Sequence, residues 1–231
     1  MMKPKRDLMW IGLMVAVAIL PPATGGAQPV TQIAAGGHHS LFLKGDGSLW
    51  AMGVNANGQL GDGTFSTASR PELVVASNVT AIAAGEYHSL FLQSDGSLWA
   101  MGANANGQLG DGTYNTANLP ELIMASNVTA IAAGGYHSLF LKSDGSLWAM
   151  GRDGNGQLGD GIYRVNAPYY GTNQPELIVA SNVTAIAAGE YHSLFLQSDG
   201  SLWAMGNNYN GQLGDGTFFN DTIAIHIDIG T

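Results

Sequence analysis

Residues 83–113 read AAGEYHSLFLQSDGSLWAMGANANGQLGDGT. His88–Gln93 (HSLFLQ) and Ser97–Gly102 (SLWAMG) are short apolar runs separated by Asp95-Gly96. Both turn residues tolerate the positive φ of a type I′ turn, so the stretch predicts a tight β-hairpin. Upstream, Val79–Gly85 (VTAIAAG) reads as a further strand ending on a glycine. Successive strand residues point to opposite faces, which puts Leu98 and Ala100 on one side and Trp99 and Met101 on the other. With both faces apolar, the strand is expected to be sandwiched between neighbouring sheets. The glycine-rich loop NANGQLGDGT follows, and then a short Pro-Glu-Leu strand.

The same unit recurs four times. Trp50, Trp99, Trp148 and Trp203 are spaced by 49, 49 and 55 residues, and Val75–Gly102 is identical to Val179–Gly206 over 28 residues. Six extra residues in the third interval fall between Asp160 and Glu176. Three to four strands per repeat of about 50 residues is the signature of propeller blades. The expected fold is therefore all-β, a propeller-like array of repeats at about 30–78, 79–127, 128–182 and 183–231. Ile223, Ile225, Ile227 and Ile229 alternate with other residues, so the tail reads as a last strand. It could complete the fourth unit or close against the first. The 33 glycines among 231 residues follow no three-residue period, which excludes collagen, and 45% hydrophobic content with 11% charged residues excludes a disordered chain.

Gly-x-x-His-Ser, the hairpin ending in Trp-x-x-Gly, and Asn-x-x-Gly-Gln-Leu-Gly occur together four times in order. This combination resembles the repeat of the regulator of chromosome condensation family, over essentially all of Val30 to Thr217. The resemblance implies a β-propeller, commonly of seven blades. Members include a nucleotide exchange factor for the Ran GTPase, and also exported bacterial propellers, one of which grips β-lactamases. Four copies depart from seven, which leaves open a tighter four-bladed ring, an open partial propeller completed by a second chain as a homodimer, or a fragment of a longer gene.

Lys3, Lys5 and Arg6 precede an apolar run from Leu8 to Leu20, ended by Pro21-Pro22 and followed by Gly25-Gly26-Ala27. A positive n-region, a thirteen-residue h-region and small residues before a cleavage site predict a signal peptide over residues 1–27, cut after Ala27. Thirteen residues are too few for a bilayer, which needs about 20, so no membrane span is expected in the mature chain. The implied location is secreted, periplasmic or at the cell surface. A net charge of -9 repels phosphate backbones, so nucleic acid is not an expected partner. Cysteine is absent, which removes disulfides, thiolate metal sites and cysteine nucleophiles.

The recurring polar residues read as scaffold. His39, His88, His137 and His192 could form a ring of imidazoles, but recurrence once per repeat is what a structural motif gives, with each histidine bonding nearby backbone in its own blade. Trp50, Trp99, Trp148 and Trp203 belong to the same motif. Each histidine precedes a serine, yet adjacent strand residues face opposite ways, so a local His-Ser dyad is excluded. The aspartates of the Gly-Asp-Gly and Asp-Gly pairs lack the spacing of a calcium loop and read as turn formers. Asn78-Val-Thr80 and its equivalents read as turns before strands. No catalytic residue, metal or cofactor is expected.

Function is expected where the units differ, because loops on a rigid scaffold carry recognition. Glu86 and Glu190 are expected to share one loop position with His38 and Gly135. Phe65, Tyr114, Ile162 and Phe218 follow the Gly-Asp-Gly turn, Tyr209 varies the asparagine loop, and the insertion adds Arg164, Tyr169 and Tyr170. Loop tyrosines and arginines are typical interface anchors. The expected activity is non-enzymatic binding of a protein or cell-surface polymer. The alternatives are guanine nucleotide exchange on a small GTPase and a structural fragment of a larger surface protein.

Overall fold

The computed structural model describes residues 27–162, 164, 171–228 and 230. The expected signal peptide, Tyr169 and Tyr170 lie outside the described residues. Blade 1 is built of β1 (Val30–Ala35), β2 (His39–Lys44), β3 (Leu49–Gly53) and β4 (Ala68–Val75). Blade 2 holds β5 (Val79–Ala84), β6 (His88–Gln93), β7 (Leu98–Gly102) and β8 (Ala117–Met124). Blade 3 holds β9 (Val128–Ala133), β10 (His137–Lys142), β11 (Leu147–Arg152) and β12 (Gly171–Val179). Blade 4 holds β13 (Val183–Ala188), β14 (His192–Gln197), β15 (Leu202–Gly206) and β16 (Asp221–Ile227). Each is a four-stranded antiparallel meander in sequence order. The all-β array is thus what the hairpin pattern predicts. The fourth strand is longer than its Pro-Glu-Leu core, and its proline is tolerated because the strand lies at the sheet edge. The isoleucine-rich tail completes blade 4 by pairing with β15.

Alternation along the central strands gives every blade two apolar faces. Leu41, Leu43, Leu49 and Ala51 of blade 1 pack with Phe91 and Met101 of blade 2, all at most 4% exposed. The same residue types recur between blades 2 and 3, where Leu90, Leu98 and Ala100 meet Phe140 and Met150. Between blades 3 and 4, Leu139, Leu147 and Ala149 meet Phe195 and Met205. The sheets do not close into a ring. Contacts join blade 1 to 2, 2 to 3 and 3 to 4, and the outer faces of blades 1 and 4 stay open, with Ile33 81% exposed. Of the closed and open arrangements allowed by sequence, the open arc is the one present.

Polar ties cross each apolar junction. His39 Nε2 lies 2.8 Å from Ser89 Oγ, His88 Nε2 2.9 Å from Ser138 Oγ, and His137 Nε2 2.8 Å from Ser193 Oγ. Each serine hydroxyl donates its only proton to a backbone carbonyl of the preceding blade, that of Gln59, Gln108 or Gln157, at 2.7–2.8 Å. The serine oxygen must therefore accept, and the histidine must be the neutral Nε2–H tautomer that donates. This corrects the expectation that the histidines bond backbone in their own blades. They lock neighbouring blades together instead. The arrangement also carries no nucleophile, because the serine proton is held by a carbonyl and the facing imidazole nitrogen already bears one.

Burial holds the imidazoles neutral. It lowers the pKa of His39 to about 4, and those of His88 and His137 to about 3, with neighbouring histidines adding to the last two. The folded values lie below the unfolded value of about 6.5, so on acidification the unfolded chain takes up protons first. Stability that is intact above pH 6.5 is lost as pH falls towards 4, by about 1.4 kcal/mol per pH unit for each fully buried histidine. Urea unfolding at pH 7.5 and pH 5 should show this loss, and His137→Gln should shrink it by about 2 kcal/mol. An equal pH dependence in the variant would remove His137 from the effect.

Candidate partner-binding face

In each meander the loop from first to second strand and the loop from third to fourth strand emerge at the same end. The Asp-Gly turns and the Ala-Ser-Asn turns emerge at the other. The second end is nearly invariant. Asp-Gly occurs there in all four blades, and Ala-Ser-Asn joins successive blades at 76–78, 125–127 and 180–182. Asn78, Asn127 and Asn182 adopt φ 69°, a left-handed turn conformation that asparagine tolerates, as their reading as turns requires. Ser48 donates both its hydroxyl and its N–H to Asp46, and Trp50 Nε1–H donates to Ser48 Oγ at 2.9 Å. Those serine hydrogen bonds hold Asp46 below the usual carboxylate range. Trp99, Trp148 and Trp203 make the same bond to Ser97, Ser146 and Ser201. The recurring aspartates and tryptophans are thus consumed by the turn.

Among the described residues, Glu86, Glu190, Phe65, Tyr114, Ile162, Arg164, Tyr209 and Phe218 gather at the first end. A mouth of about 470 Å³ opens where the four innermost strands finish, walled mainly by alanines and glycines, with Glu86 and Glu190 as its carboxylates. The structure corrects one alignment here. Gly37, which packs against Glu86, holds the position equivalent to Glu86, Gly135 and Glu190. His38 belongs instead to the next row, with Tyr87, Tyr136 and Tyr191. The three tyrosines form a ladder with ring centroids 5.6 and 5.8 Å apart. Arg152 lies 5.7 Å from the Tyr136 ring and 5.6 Å from the Tyr191 ring, within cation–π reach of both. A hydrogen bond to Glu86 raises the Tyr87 phenol, and burial with help from Glu190 pushes Tyr191 up to about 12. Both phenols stay protonated donors at neutral pH. Sequence reasoning passed over this ladder because its tyrosines sit inside the recurring His-Ser motif; their recurrence in three of four copies was the available signal.

Farther out, Tyr209 and Phe218 are each 67% exposed and flank one loop, where the Phe218 ring lies 3.5 Å from the site a Gly211 β-carbon would take. Phe65 is exposed at the position equivalent to Phe218, and Tyr114 there is half-buried and engaged. The exposed Ile162 matches Thr64, Thr113 and Thr217 instead, with its N–H on Asp160 as theirs are on Asp62, Asp111 and Asp215. The loops beneath them are stiffened by one amide. Asn55 donates to Asp62 Oδ1 at 3.0 Å and to the Thr64 carbonyl at 3.1 Å, and accepts from Leu60 N–H at 2.9 Å. Asn104 and Asn208 repeat the pattern.

Blade 3 solves the same problem with charge. Asp153 replaces the asparagine and is fully buried; it still accepts from Leu158 N–H but cannot donate. Arg164, from the insertion, supplies the missing donors. It reaches Asp153 at 3.0 Å, bonds Asp160, and holds Glu176 at 3.0 Å. Burial pushes the Asp153 carboxyl up, the Leu158 N–H and Arg164 pull it back, and the Asp160 charge opposes them. In blades 1 and 2, where no arginine intervenes, Asp62 raises Glu72, and burial with Asp111 raises Glu121. Arg164 is accordingly committed to its own loop. Arg164→Ala should cost about 3 kcal/mol by stranding a buried carboxylate. Adding Asp153→Asn should recover most of that in urea unfolding, and a double variant no more stable than the single one would refute the exchange.

A model of the RCC1-like domain matches residues 12–228. Human WBSCR16 superposes with a TM-score of 0.77 at 27% identity, covering 88% of this chain and 54% of that one. Yeast RCC1 (Prp20), in its complex with Kap60, gives 0.74 at 27% identity over 89% and 50%. A second structure of Prp20p from Saccharomyces cerevisiae, described together with its binding to Gsp1p and histones, gives 0.75 at 25% identity over 89% and 52%. The chain spans about half the length of these structures. No curated protein sequence matches it. On the family match across most of its length and on its repeated blades, the chain belongs to the RCC1-like domain family.

Proposed function

We propose that this chain is an exported, non-enzymatic binding module that holds a protein or a surface polymer against its variable loop face. One observation carries the reading: nearly all the loop positions at which the blades differ emerge at one end of the arc, while the turns at the other end repeat apart from Gly45 in the place of Ser94, Ser143 and Ser198. Within that face, the Tyr87–Tyr136–Tyr191 ladder and the Glu86 and Glu190 carboxylates offer hydrogen-bond donors, acceptors and flat apolar surface around one mouth. Tyr209 and Phe218 extend the apolar surface outward. Exposed tyrosine and arginine on preordered loops bind with little ordering cost. The inter-blade His–Ser pairs, with their protons directed towards carbonyls, support a non-catalytic role.

A second reading is favoured by the likeness to Prp20p, whose structure is described with its binding to Gsp1p: regulation of nucleotide exchange on a small GTPase. The basic residues and the apolar run between residues 1 and 27 support export and so weigh against a cytosolic GTPase partner.

A photo-crosslinking side chain placed at Tyr209 or Phe218, with Asp95 as the opposite-face control, tests the leading reading on producing cells. Adducts are expected from the loop face only, and Tyr136→Ala should reduce them about tenfold with the fold intact. Equal adducts from the Asp95 position would reject the loop face as the binding surface. Release of a fluorescent guanine nucleotide from a Ran-type GTPase should be unchanged by the chain, and a tenfold acceleration would establish the second reading in its place.

A further inference from the structure

The two open faces of the arc are the separated halves of the junction found three times inside it. On blade 1, Val30, Ile33, Phe42, Trp50 and Met52 stand where blade 2 presents Val79, Ile82, Phe91, Trp99 and Met101 to its predecessor. All of these blade 1 residues but Trp50 line an apolar hollow of about 360 Å³. On blade 4, Leu194, Leu196, Leu202, Ala204 and Leu213 stand where blade 1 presents Leu41, Leu43, Leu49, Ala51 and Leu60 to its successor. A second apolar hollow, of about 230 Å³, lies on that side. Every residue named has the same identity as its interior counterpart.

The polar ties are split in the same way. Ser40 has the position of Ser89, Ser138 and Ser193, but among the described residues no preceding blade supplies it with a histidine. His192 has the position of His39, His88 and His137, but among the described residues no following blade supplies it with a serine. Gln212 matches the glutamines whose carbonyls accept the serine protons. A steric socket is divided too. Gly61, Gly110 and Gly159 have no room for a side chain because Met101, Met150 and Met205 of the next blade sit over them. Over Gly214 the nearest atom is Ile227 Cγ2 at 3.7 Å, so the socket stands open, while Met52 has no glycine to cover. One contact is not reproduced: Pro29 holds the place of the left-handed Asn78, Asn127 and Asn182, so the innermost turn of the split junction must differ.

We propose that a second copy of this chain covers both faces. Blade 4 of each copy packs on blade 1 of the other, Met52 enters the Gly214 socket, and His192 donates to Ser40 across the seam. Such head-to-tail contacts either close or run on as filaments. Closure by two chains gives eight blades, at the upper end of the usual propeller range.

Light scattering on the full chain after size-exclusion chromatography tests this, with the denatured chain as the mass standard. The native mass should be twice that standard. Phe42→Glu, at a half-buried residue of blade 1, and Leu196→Glu, at an exposed residue of blade 4, should each give a folded monomer by circular dichroism. Mixing the two should restore a two-chain species, because one copy keeps a sound blade 1 face and the other a sound blade 4 face. His192→Ala should weaken association about a hundredfold, because a closed pair loses one buried hydrogen bond at each of its two seams. A native monomer at 100 µM, an assembly larger than two, or a Leu196→Glu chain that still pairs through blade 1 alone would each overturn the proposal.

Discussion

Each sheet in this protein is apolar on both sides, and that constraint shapes everything else. A four-stranded meander with leucines on one face and phenylalanine, tryptophan and methionine on the other cannot be wetted on either side without loss. Burying one Leu or Phe side chain is worth about 1.5–3 kcal/mol. Phe91, Phe140, Leu90, Leu98, Leu139 and Leu147 are all at most 1% exposed. Cohesion therefore lies between blades rather than within them, and it is supplied by neighbours in the chain. The His–Ser–carbonyl tie is smaller, on the order of 1 kcal/mol per hydrogen bond. Its contribution is register, because a blade shifted by one residue would bury an imidazole and a hydroxyl without partners.

The two faces of a blade are chemically different, so the junction has a direction. The leucines of the two central strands point to the successor, and phenylalanine, tryptophan and methionine, with isoleucine of the inner strand, point to the predecessor. Histidine donates forward, and the serine it meets donates back to the blade from which the histidine came. A face of either kind has no affinity for itself comparable to its affinity for the other. Identical blades can therefore be added without redesign, as the 28-residue identity between Val75–Gly102 and Val179–Gly206 illustrates.

Much of this architecture was legible in the sequence because the hairpin and the two-sided strand are local patterns. Asp95-Gly96 and the alternation in SLWAMG are sufficient to place β6 and β7 and to require a neighbour on each side. The histidine's partner was not legible. It lies 50 residues away, in the same motif one copy later, and within a repeat it is indistinguishable from the serine adjacent to the histidine. Closure was also beyond reading, since it depends on the angle between sheets and not on any residue's identity. On the loop face, exposed Tyr209 and Phe218 stood out as departures from the repeat. The Tyr87–Tyr136–Tyr191 ladder did not, because regular recurrence looked like scaffold. Arg164 illustrates the converse: it departs from the repeat, and its guanidinium is spent on Asp153, Asp160 and Glu176.

Variation is concentrated at one end of the arc by the junctions themselves. A core position such as Leu90 touches the next blade, while Phe91 beside it touches the previous one, so a change at either requires a matched change in a different copy. The Asp-Gly turns are bound in a similar way, since the Gly47, Gly96 and Gly145 carbonyls each accept from the first residue of the next blade's inner strand. Loops at the other end are also tied across blades, but through backbone groups, such as Gly63 N–H on the Asn118 carbonyl and Gly112 N–H on that of Asn173, which leave neighbouring side chains free to differ. Where one of them does alter an internal partner, as Asp153 does, the compensation comes from within the same loop, through Arg164. A chain built this way can change what it meets at its mouth without disturbing how its blades meet each other.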